Sequence, residues 1–156
     1  MSSTFEVETS IPASRMFKAA VLDWHNLGPK IVPEHIKSID LIHGDGSAGS
    51  IRQINFAPAL PFPFAKERLD SIDHNNFEVK NTTIEGADIG TKLECYSTHS
   101  KFTPTSSGGC VVKVTTTVKI LPGVKPGDEE AKAKETITKA IKATEAYLLA
   151  HPTICA

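Results

Sequence analysis

One segment of the chain has a residue pattern that binds phosphate groups in other proteins. Gly44-Asp45-Gly46-Ser47-Ala48-Gly49 fits G-x-G-x-x-G, and Asp70 lies about twenty residues further on, as the dinucleotide fingerprint expects. That fingerprint works because its glycines open a helix whose N-terminus faces a pyrophosphate. Here a strand-like segment, 51–56, follows instead. We therefore interpret Gly44, Gly46 and Gly49 as a tight strand connection that needs glycine dihedrals, with only weak anion binding by free N–H groups left open.

Histidine and cysteine, the usual ligands of transition metals, are present but scattered. The six histidines show no spacing typical of a metal site, and Cys95, Cys110 and Cys155 contain no C-x-x-C pair. An odd number of widely spaced cysteines also argues against a disulfide framework, so we expect free thiols. The sequence predicts neither a bound metal nor a cofactor, and reduced thiols are typical of the cytosol.

Composition and charge exclude several classes of function. The 156 residues suit one domain, and 40% of them are hydrophobic, as in ordinary folded proteins. The net charge is −1 without any basic cluster, so we expect no specific nucleic-acid partner, because such binding depends on phosphate neutralisation. There is no run of 18 apolar residues and no basic segment followed by an apolar stretch at the start. We therefore expect no membrane association, no secretory signal and a cytoplasmic location.

The elements that must position any site follow from the hydrophobic periodicity. Alternation predicts a first strand over 4–9. An apolar stripe from Ala13 to Val21 predicts a helix that is interrupted at 26–29 and followed by a second short helix ending near Val32. From Ile36 the period becomes two. Turn residues then separate six predicted strands, at about 36–43, 50–57, 64–72, 77–85, 89–102 and 110–120.

The last strand and the C-terminal segment have the clearest patterns. Apolar residues occupy one face of the strand over 110–120, and Lys113 and Lys119 occupy the other, so an antiparallel sheet covered on one side is predicted. The covered face consists of Val112, Val114, Thr116, Val118 and Ile120. Acidic residues from Asp128 begin a long helix to about Ala150, whose inward stripe contains small residues that leave room beneath it. Strands followed by a helix indicate an α+β fold in a single domain over 1–156.

Three motifs of the chain occur together in one family of plant proteins. They are the glycine loop 44–50, the segment Lys66-Glu67-Arg68-Leu69-Asp70-Ser71-Ile72-Asp73-His74, and the segment Glu145–Pro152. With them the chain resembles the class-10 pathogenesis-related family, which includes the major birch-pollen allergen, and its His-Pro-Thr ending resembles a monocot member. The resemblance covers essentially the whole chain. It implies a helix-grip fold: a seven-stranded curved antiparallel sheet wrapped around the C-terminal helix, two short helices after strand 1, and an internal cavity.

The resemblance also implies a function, which is binding of a small molecule in that cavity. Members accept flavonoids, cytokinins, steroids or fatty acids, so we expect a monomeric carrier of a small amphipathic metabolite or phytohormone. Asn81, Tyr96 and Thr98 support this, because such a face is more polar than a dry core tolerates. Phe56, Phe62 and Phe64 fit either core packing or an aromatic lip. The predicted ligand-binding residues are Ile54, Phe56, Phe62, Phe64, Val79, Asn81, Tyr96, Thr98, Val114, Thr116, Thr136, Ile137 and Ala140.

Ribonuclease activity is the alternative that the resemblance implies. The family's attributed catalytic residues correspond to Glu94, Glu145 and Tyr147, and the resemblance turns Glu94 inward beside Tyr96. RNA cleavage needs a general base and a general acid. A carboxylate fits the base, but the motif has no histidine, and either a carboxyl or a phenol would need a shifted pKa to act as the acid. Glu145 and Tyr147 also fit purely structural roles beside the helix stripe and at its C-terminal end.

Two further activities of this fold are less favoured. Abscisic-acid receptors carry Ser-Gly-Leu-Pro-Ala in a gate loop and His-Arg-Leu in a latch, whereas only Leu60-Pro61 matches here and the latch region 86–90 differs. Alkaloid-forming synthases need a paired acid and base in the cavity, and the sequence does not identify such a pair. Ligand binding without catalysis is therefore the prediction, with a weak ribonuclease as its alternative.

Overall fold

A seven-stranded antiparallel sheet organises the chain, and the computed structural model describes all of residues 1–156. The strands follow the order β1-β7-β6-β5-β4-β3-β2, so the first strand pairs with the last. The strands are β1 Ser2–Thr9, β2 Ile36–His43, β3 Ile51–Phe56, β4 Phe64–Asp73, β5 Glu78–Gly86, β6 Leu93–Pro104 and β7 Cys110–Ile120. The helices are α1 Ala13–Phe17, α2 Trp24–Ile31 and α3 Glu129–Ala150, with a π-helical turn at Lys18–Leu22.

The predicted architecture is confirmed, and the strand over 110–120 has the bounds that its alternation gave. Val112, Val114 and Val118 are each 1% exposed, whereas Lys113 and Lys119 are exposed on the opposite face. We call the face of the sheet that carries these valines the inner face. Register shifts between neighbouring strands of β2/β3, β4/β5 and β6/β7 are bulges, which bend and twist the sheet.

Two element boundaries differ from the predictions by more than two residues. The break between the short helices lies at Asp23, not at 26–29, and α2 contains Pro29. Pro29 removes one N–H donor but the helix ends two residues later, so only its last turn is affected. Strand β6 begins at Leu93, not at 89, because residues 88–92 form a tight turn in which the Asp88 carbonyl accepts the N–H groups of Lys92 and Leu93.

The apolar core lies between one part of the inner face, α1 and the C-terminal half of α3. Phe17 of α1 packs edge to face on Phe102 of β6, with ring centroids 5.5 Å apart, and Met16 and Leu148 are fully buried beside them. Burial of large side chains of this kind supplies most of the favourable free energy of folding. This part of the molecule is therefore its stabilising centre.

Helix α3 is held mainly through its C-terminal half. Its buried residues are Ile141, Thr144 and Leu148, and none lies before Ile141. Arg15 of α1 donates from Nε to the carbonyl of Ile154 at 2.9 Å, and from Nη2 to the carbonyls of Leu148 and His151 at 2.9 and 2.8 Å. These bonds satisfy carbonyls that the end of a helix leaves without partners. The helix packs on β1, β7, α2 and the π-helical turn, and makes at most marginal contact with β2 to β6.

The cysteines are free thiols, as the sequence predicts. Cys110 is buried, and Cys95 and Cys155 are half-buried. Burial raises the pKa of the Cys110 thiol, whose sulfur lies 3.3 Å from the hydroxyl of Thr9, so this thiol stays protonated and unreactive. No helix of the chain combines the length and the hydropathy that crossing a membrane requires.

Candidate functional site

Side chains of the inner face form rows across the sheet, because neighbouring strands pair in register. The apolar row consists of Phe5, Val114, Ser100 and Val79 on β1, β7, β6 and β5. The mixed row consists of Thr116, Thr98, Asn81 and Leu69 on β7, β6, β5 and β4. The polar row consists of Arg52, Glu67, Thr83 and Tyr96 on β3, β4, β5 and β6.

Arg52 begins the polar row and is the largest polar side chain in the interior, with 2% of its surface exposed. Its Nη2 donates a hydrogen bond of 2.7 Å to the carbonyl of Val21, at the end of the π-helical turn. Its Nε is buried and has no hydrogen-bond partner. Burial lowers the pKa of the guanidinium, while the charges of Glu67 and Asp23 oppose that shift. Arginine still keeps its proton at neutral pH, so a fixed positive charge lies inside the protein.

Glu67 occupies the next position of the polar row. The residue is half-buried, and its carboxyl group has no hydrogen-bond partner within the protein. Desolvation raises the pKa of this carboxyl, and the positive charge of Arg52 partly offsets the effect. Its pairing with Arg52 and Thr83 places the side chain on the inner face, where it keeps accessible surface. Glu67 therefore presents a free hydrogen-bond acceptor at that face.

Tyr96 ends the polar row, separated from Glu67 by Thr83. Burial, with a smaller contribution from the charge of Glu67, raises the pKa of Tyr96 to about 12. The phenol consequently stays protonated at neutral pH and is available as a hydrogen-bond donor. It is half-buried on the inner face. A free acceptor and a free donor thus share one row.

The mixed row is polar but partly satisfied. The Thr98 hydroxyl donates a hydrogen bond to the side-chain oxygen of Asn81, and both residues are half-buried. Thr116, 1% exposed, has a buried hydroxyl without a partner. A buried hydroxyl of this kind costs free energy unless something pairs with it.

The inner face is therefore covered unevenly. Val79 and Val114 of the apolar row belong to the packed core and are 5% and 1% exposed. Ile54, Asn81 and Tyr96, over β3 to β6, keep accessible surface. Because α3 makes little contact with β2 to β6, this uneven cover indicates open space between the helix and the central strands.

Aromatic residues stand at one end of that space. Phe56 lies on the inner face with Ile54 and packs edge to face on Phe62 of the β3–β4 loop, with ring centroids 5.1 Å apart. The two rings line a groove of about 420 Å3 together with the prolines of the loop and Leu60. A second groove, of about 270 Å3, crosses the outer face and has no apolar residue in its lining. The first groove suits an apolar molecule and the second does not.

Several residues predicted to bind ligand lie elsewhere. Phe64 pairs with Asn55 and points to the outer face, where Lys66 lies 6.0 Å from the centre of its ring. Thr136 is exposed on α3, whereas Ile137 and Ala140 of the same helix are half-buried. Val79, Val114 and Thr116 lie on the predicted face but have almost no accessible surface. The remaining residues of the predicted set lie on the inner face or at its aromatic end.

The glycine loop adopts the conformation that its sequence predicts. Gly44, Gly46 and Gly49 have φ of 83°, 99° and 90°, values that favour glycine. Its N–H groups are engaged within the protein, since Gly46 donates to Ser50 Oγ at 2.9 Å and Gly49 donates to the carbonyl of Leu69 at 2.7 Å. The backbone N–H of Ser47 donates to the carboxylate of Asp45 at 3.0 Å, so this N–H group is engaged as well. The geometry therefore favours a structural loop over an anion site.

The residues attributed to ribonuclease activity do not come together. Glu94 lies outward, not inward, and its carboxylate pairs with Lys119 at 3.0 Å. Glu145 accepts the N–H of Ser10 at 2.6 Å near the opposite end of β7, and Tyr147 stacks on His151 with ring centroids 4.2 Å apart. The two ends of β7, at Cys110 and Lys119, are about 30 Å apart at the rise of an extended strand. One substrate group cannot contact all three side chains.

Sequence reasoning missed the two charged residues of the polar row. A signal was present, because Glu67 stands between Ala65 and Leu69, and Arg52 precedes Ile54 and Phe56 at the same spacing of two. A charged residue in phase with apolar neighbours on a strand indicates an inward charge. Pairing across β3 and β4 then brings the two together.

Comparisons with known proteins agree with this geometry. Residues 1–151 match the sequence model described as the Pathogenesis-related protein Bet v 1 family. The chain is 60% identical over 153 residues to Pathogenesis-related protein 1 of Asparagus officinalis, which covers 97% of this chain and 96% of that protein. It is 39% identical over 155 residues to Major pollen allergen Bet v 1-M/N of Betula pendula, covering 94% of each.

The solved structures agree as well. The crystal structure of Ara h 8.0201 superposes with a TM-score of 0.85 at 26% identity, covering 97% of this chain and 99% of that one. The family resemblance predicted from the motifs is thus confirmed in sequence and in fold. The chain belongs to the Bet v 1 family of pathogenesis-related proteins.

Proposed function

We propose that this protein is a defence-related carrier that binds a small amphipathic plant metabolite or hormone between its sheet and α3. The observation that carries the proposal is the polar row, in which Glu67 and Tyr96 lie without protein partners on the inner face, beside the apolar side chains of the core. Ligand sites combine apolar walls with a few convergent polar groups in this way. Free thiols fit a cytoplasmic location, and we expect a monomer to be the binding unit.

The expected affinity follows from the area that such a ligand would bury. About 200 Å2 of apolar ligand surface at about 25 cal/mol per Å2 gives a gross gain of about 5 kcal/mol. Polar contacts add to this gain, while association and ordering reduce it. Micromolar dissociation constants are therefore the expected scale.

Substitution of Ala140 tests the location of the site. Ala140 is half-buried on α3, so the indole of Ala140→Trp should fill the space beneath the helix. The neutral dye N-phenyl-1-naphthylamine should fluoresce strongly with the wild type and lose that enhancement with Ala140→Trp. Thr136→Trp is the matched control, because Thr136 is exposed one turn earlier on the same helix and should leave dye binding unchanged. Circular dichroism checks that both variants fold.

Two results would contradict the proposal. The first is a wild type that binds no dye at micromolar concentration, and the second is a folded Ala140→Trp variant that binds the dye as well as the wild type does. Ribonuclease activity remains the weaker alternative, because Glu94 and Glu145 lie at opposite ends of β7.

A further inference from the structure

The polar row contains more hydrogen-bonding capacity than the protein uses. Arg52 has an unpartnered Nε, and the carboxyl of Glu67 and the hydroxyl of Tyr96 have no protein partner. Most polar groups in protein interiors are paired. Three unpaired groups in one row of the inner face, one of them the fully buried Arg52 Nε, indicate that this part of the face suits a polar group of a ligand.

The arrangement of charge restricts which polar group fits. Glu67 adjoins Arg52 across β3 and β4, and Asp23 also acts on the guanidinium, so the buried positive charge already has two acidic neighbours. A ligand carboxylate at this position would bring a third acidic group to one guanidinium. Like charges that share a site cannot all stay ionised without cost. A hydroxyl group carries no such cost, since it can donate to Glu67 and accept from Tyr96.

We propose that the polar row recognises the hydroxyl-bearing end of a neutral ligand, and that Glu67 discriminates against ligands that end in a carboxylate. This inference rests on the proposed carrier function and narrows its ligand class to neutral hydroxylated ring systems. Fatty acids and other amphipathic acids become poor ligands. The role of Glu67 is to determine specificity, and no reaction is involved.

A matched pair of small probes tests this selectivity. 2-Naphthol and 2-naphthoate share one ring system and differ in the group that would contact the polar row. Isothermal titration calorimetry at neutral pH should show that the wild type binds 2-naphthol at least about tenfold more tightly, which corresponds to about 1.4 kcal/mol. Glu67→Gln should bring the two affinities to within about threefold of each other, mainly by improving the binding of 2-naphthoate.

Two further variants separate a specific effect from a general one. Glu85→Gln removes a carboxylate of β5 that pairs with Lys66 on the outer face, at 2.7 Å, and should leave the selectivity unchanged. Tyr96→Phe removes only the phenolic hydroxyl donor. It should weaken the binding of 2-naphthol by about threefold to tenfold, the range for one neutral hydrogen bond. Because Tyr96→Phe keeps the aromatic ring, it also tests whether the polar row binds the hydroxyl group if Glu67→Gln does not fold.

The outcomes distinguish this inference from the carrier function. If the wild type binds neither probe, nor N-phenyl-1-naphthylamine, the carrier function fails and this inference fails with it. If the wild type binds both probes equally, or prefers 2-naphthoate, the carrier function stands and the selectivity is refuted. Unchanged selectivity in folded Glu67→Gln would refute the assignment to Glu67.

Discussion

The apolar row and the polar row lie on the same face of one sheet, about 13 Å apart along β6, yet they are built for different purposes. Phe5, Val114 and Val79 are covered by the core and are at most 7% exposed. Glu67 and Tyr96 keep accessible surface and unpaired polar groups. The difference shows that the inner face is divided between a half that stabilises the fold and a half that keeps accessible surface, where we propose that a ligand binds.

Two phenylalanines provide the sharpest test of this division. Phe102 lies in the packed half, 3% exposed, and Phe56 lies on the open half. Phe102→Ala should lower the free energy of unfolding by about 3–5 kcal/mol, the usual cost of removing a buried aromatic ring. Phe56→Ala should lower the free energy of unfolding by less than half as much, and it should weaken the binding of N-phenyl-1-naphthylamine. Urea unfolding measures both losses, and equal losses would mean that the two halves are packed alike.

The pH dependence of stability tests the open half through Glu67. Its pKa is raised by burial above the ordinary value of 4.5, so the native state holds the proton more tightly than the unfolded chain does. The stabilisation from the protonated carboxyl is therefore present below the unfolded pKa and is lost as pH rises through the raised native pKa.

Glu67→Gln keeps a neutral side chain at every pH and should avoid that loss. The variant should accordingly be more stable than the wild type at about pH 8, with a smaller advantage at about pH 4. Urea unfolding across this range gives the difference directly. If the stability of Glu67→Gln relative to the wild type increased toward low pH, the prediction would be wrong, and the native state would favour the ionised carboxylate of Glu67.

The smallest effect is expected on the outer face. Glu94 pairs with Lys119 where both side chains are largely exposed, so Glu94→Gln should change the free energy of unfolding by less than about 1 kcal/mol. Binding of N-phenyl-1-naphthylamine should not change. Weaker dye binding in this variant would connect the outer face to the ligand site and would remove the basis for dividing the sheet.

Most of the fold could be predicted because its strands alternate plainly. Val112 to Ile120 sets the inner face of β7 from sequence alone, and that face is confirmed. The family resemblance supplied the joining of all seven strands into one sheet and the helix grip, which periodicity does not contain. Pairing between β1 and β7 joins residues more than one hundred positions apart, and no local pattern predicts such a contact.

The candidate site was predicted less well, for two physical reasons. A bulge between Leu93 and Cys95 shifts the alternation of β6 by one residue, which turns Glu94 outward although Tyr96 and Thr98 point inward. Arg52 and Glu67 were overlooked because charged residues on strands usually face water. Their spacing of two from apolar neighbours was the one sequence signal of an inward position, and the register of β3 with β4 places each beside the other.

The hydrogen bonds from Arg15 to the carbonyls around the C-terminal end of α3 hold that end of the helix in place and leave its N-terminal end without such bonds. The helix has 22 residues and is about 33 Å long at 1.5 Å per residue. A tilt of about 5° around the fixed end would displace Glu129 by about 3 Å, while Leu148 would hardly move. Such a displacement would widen the space above β3 to β6 without disturbing the packed half. For the ligand binding proposed above, rotation of this one rigid element would open a path to the inner face without unfolding of the core.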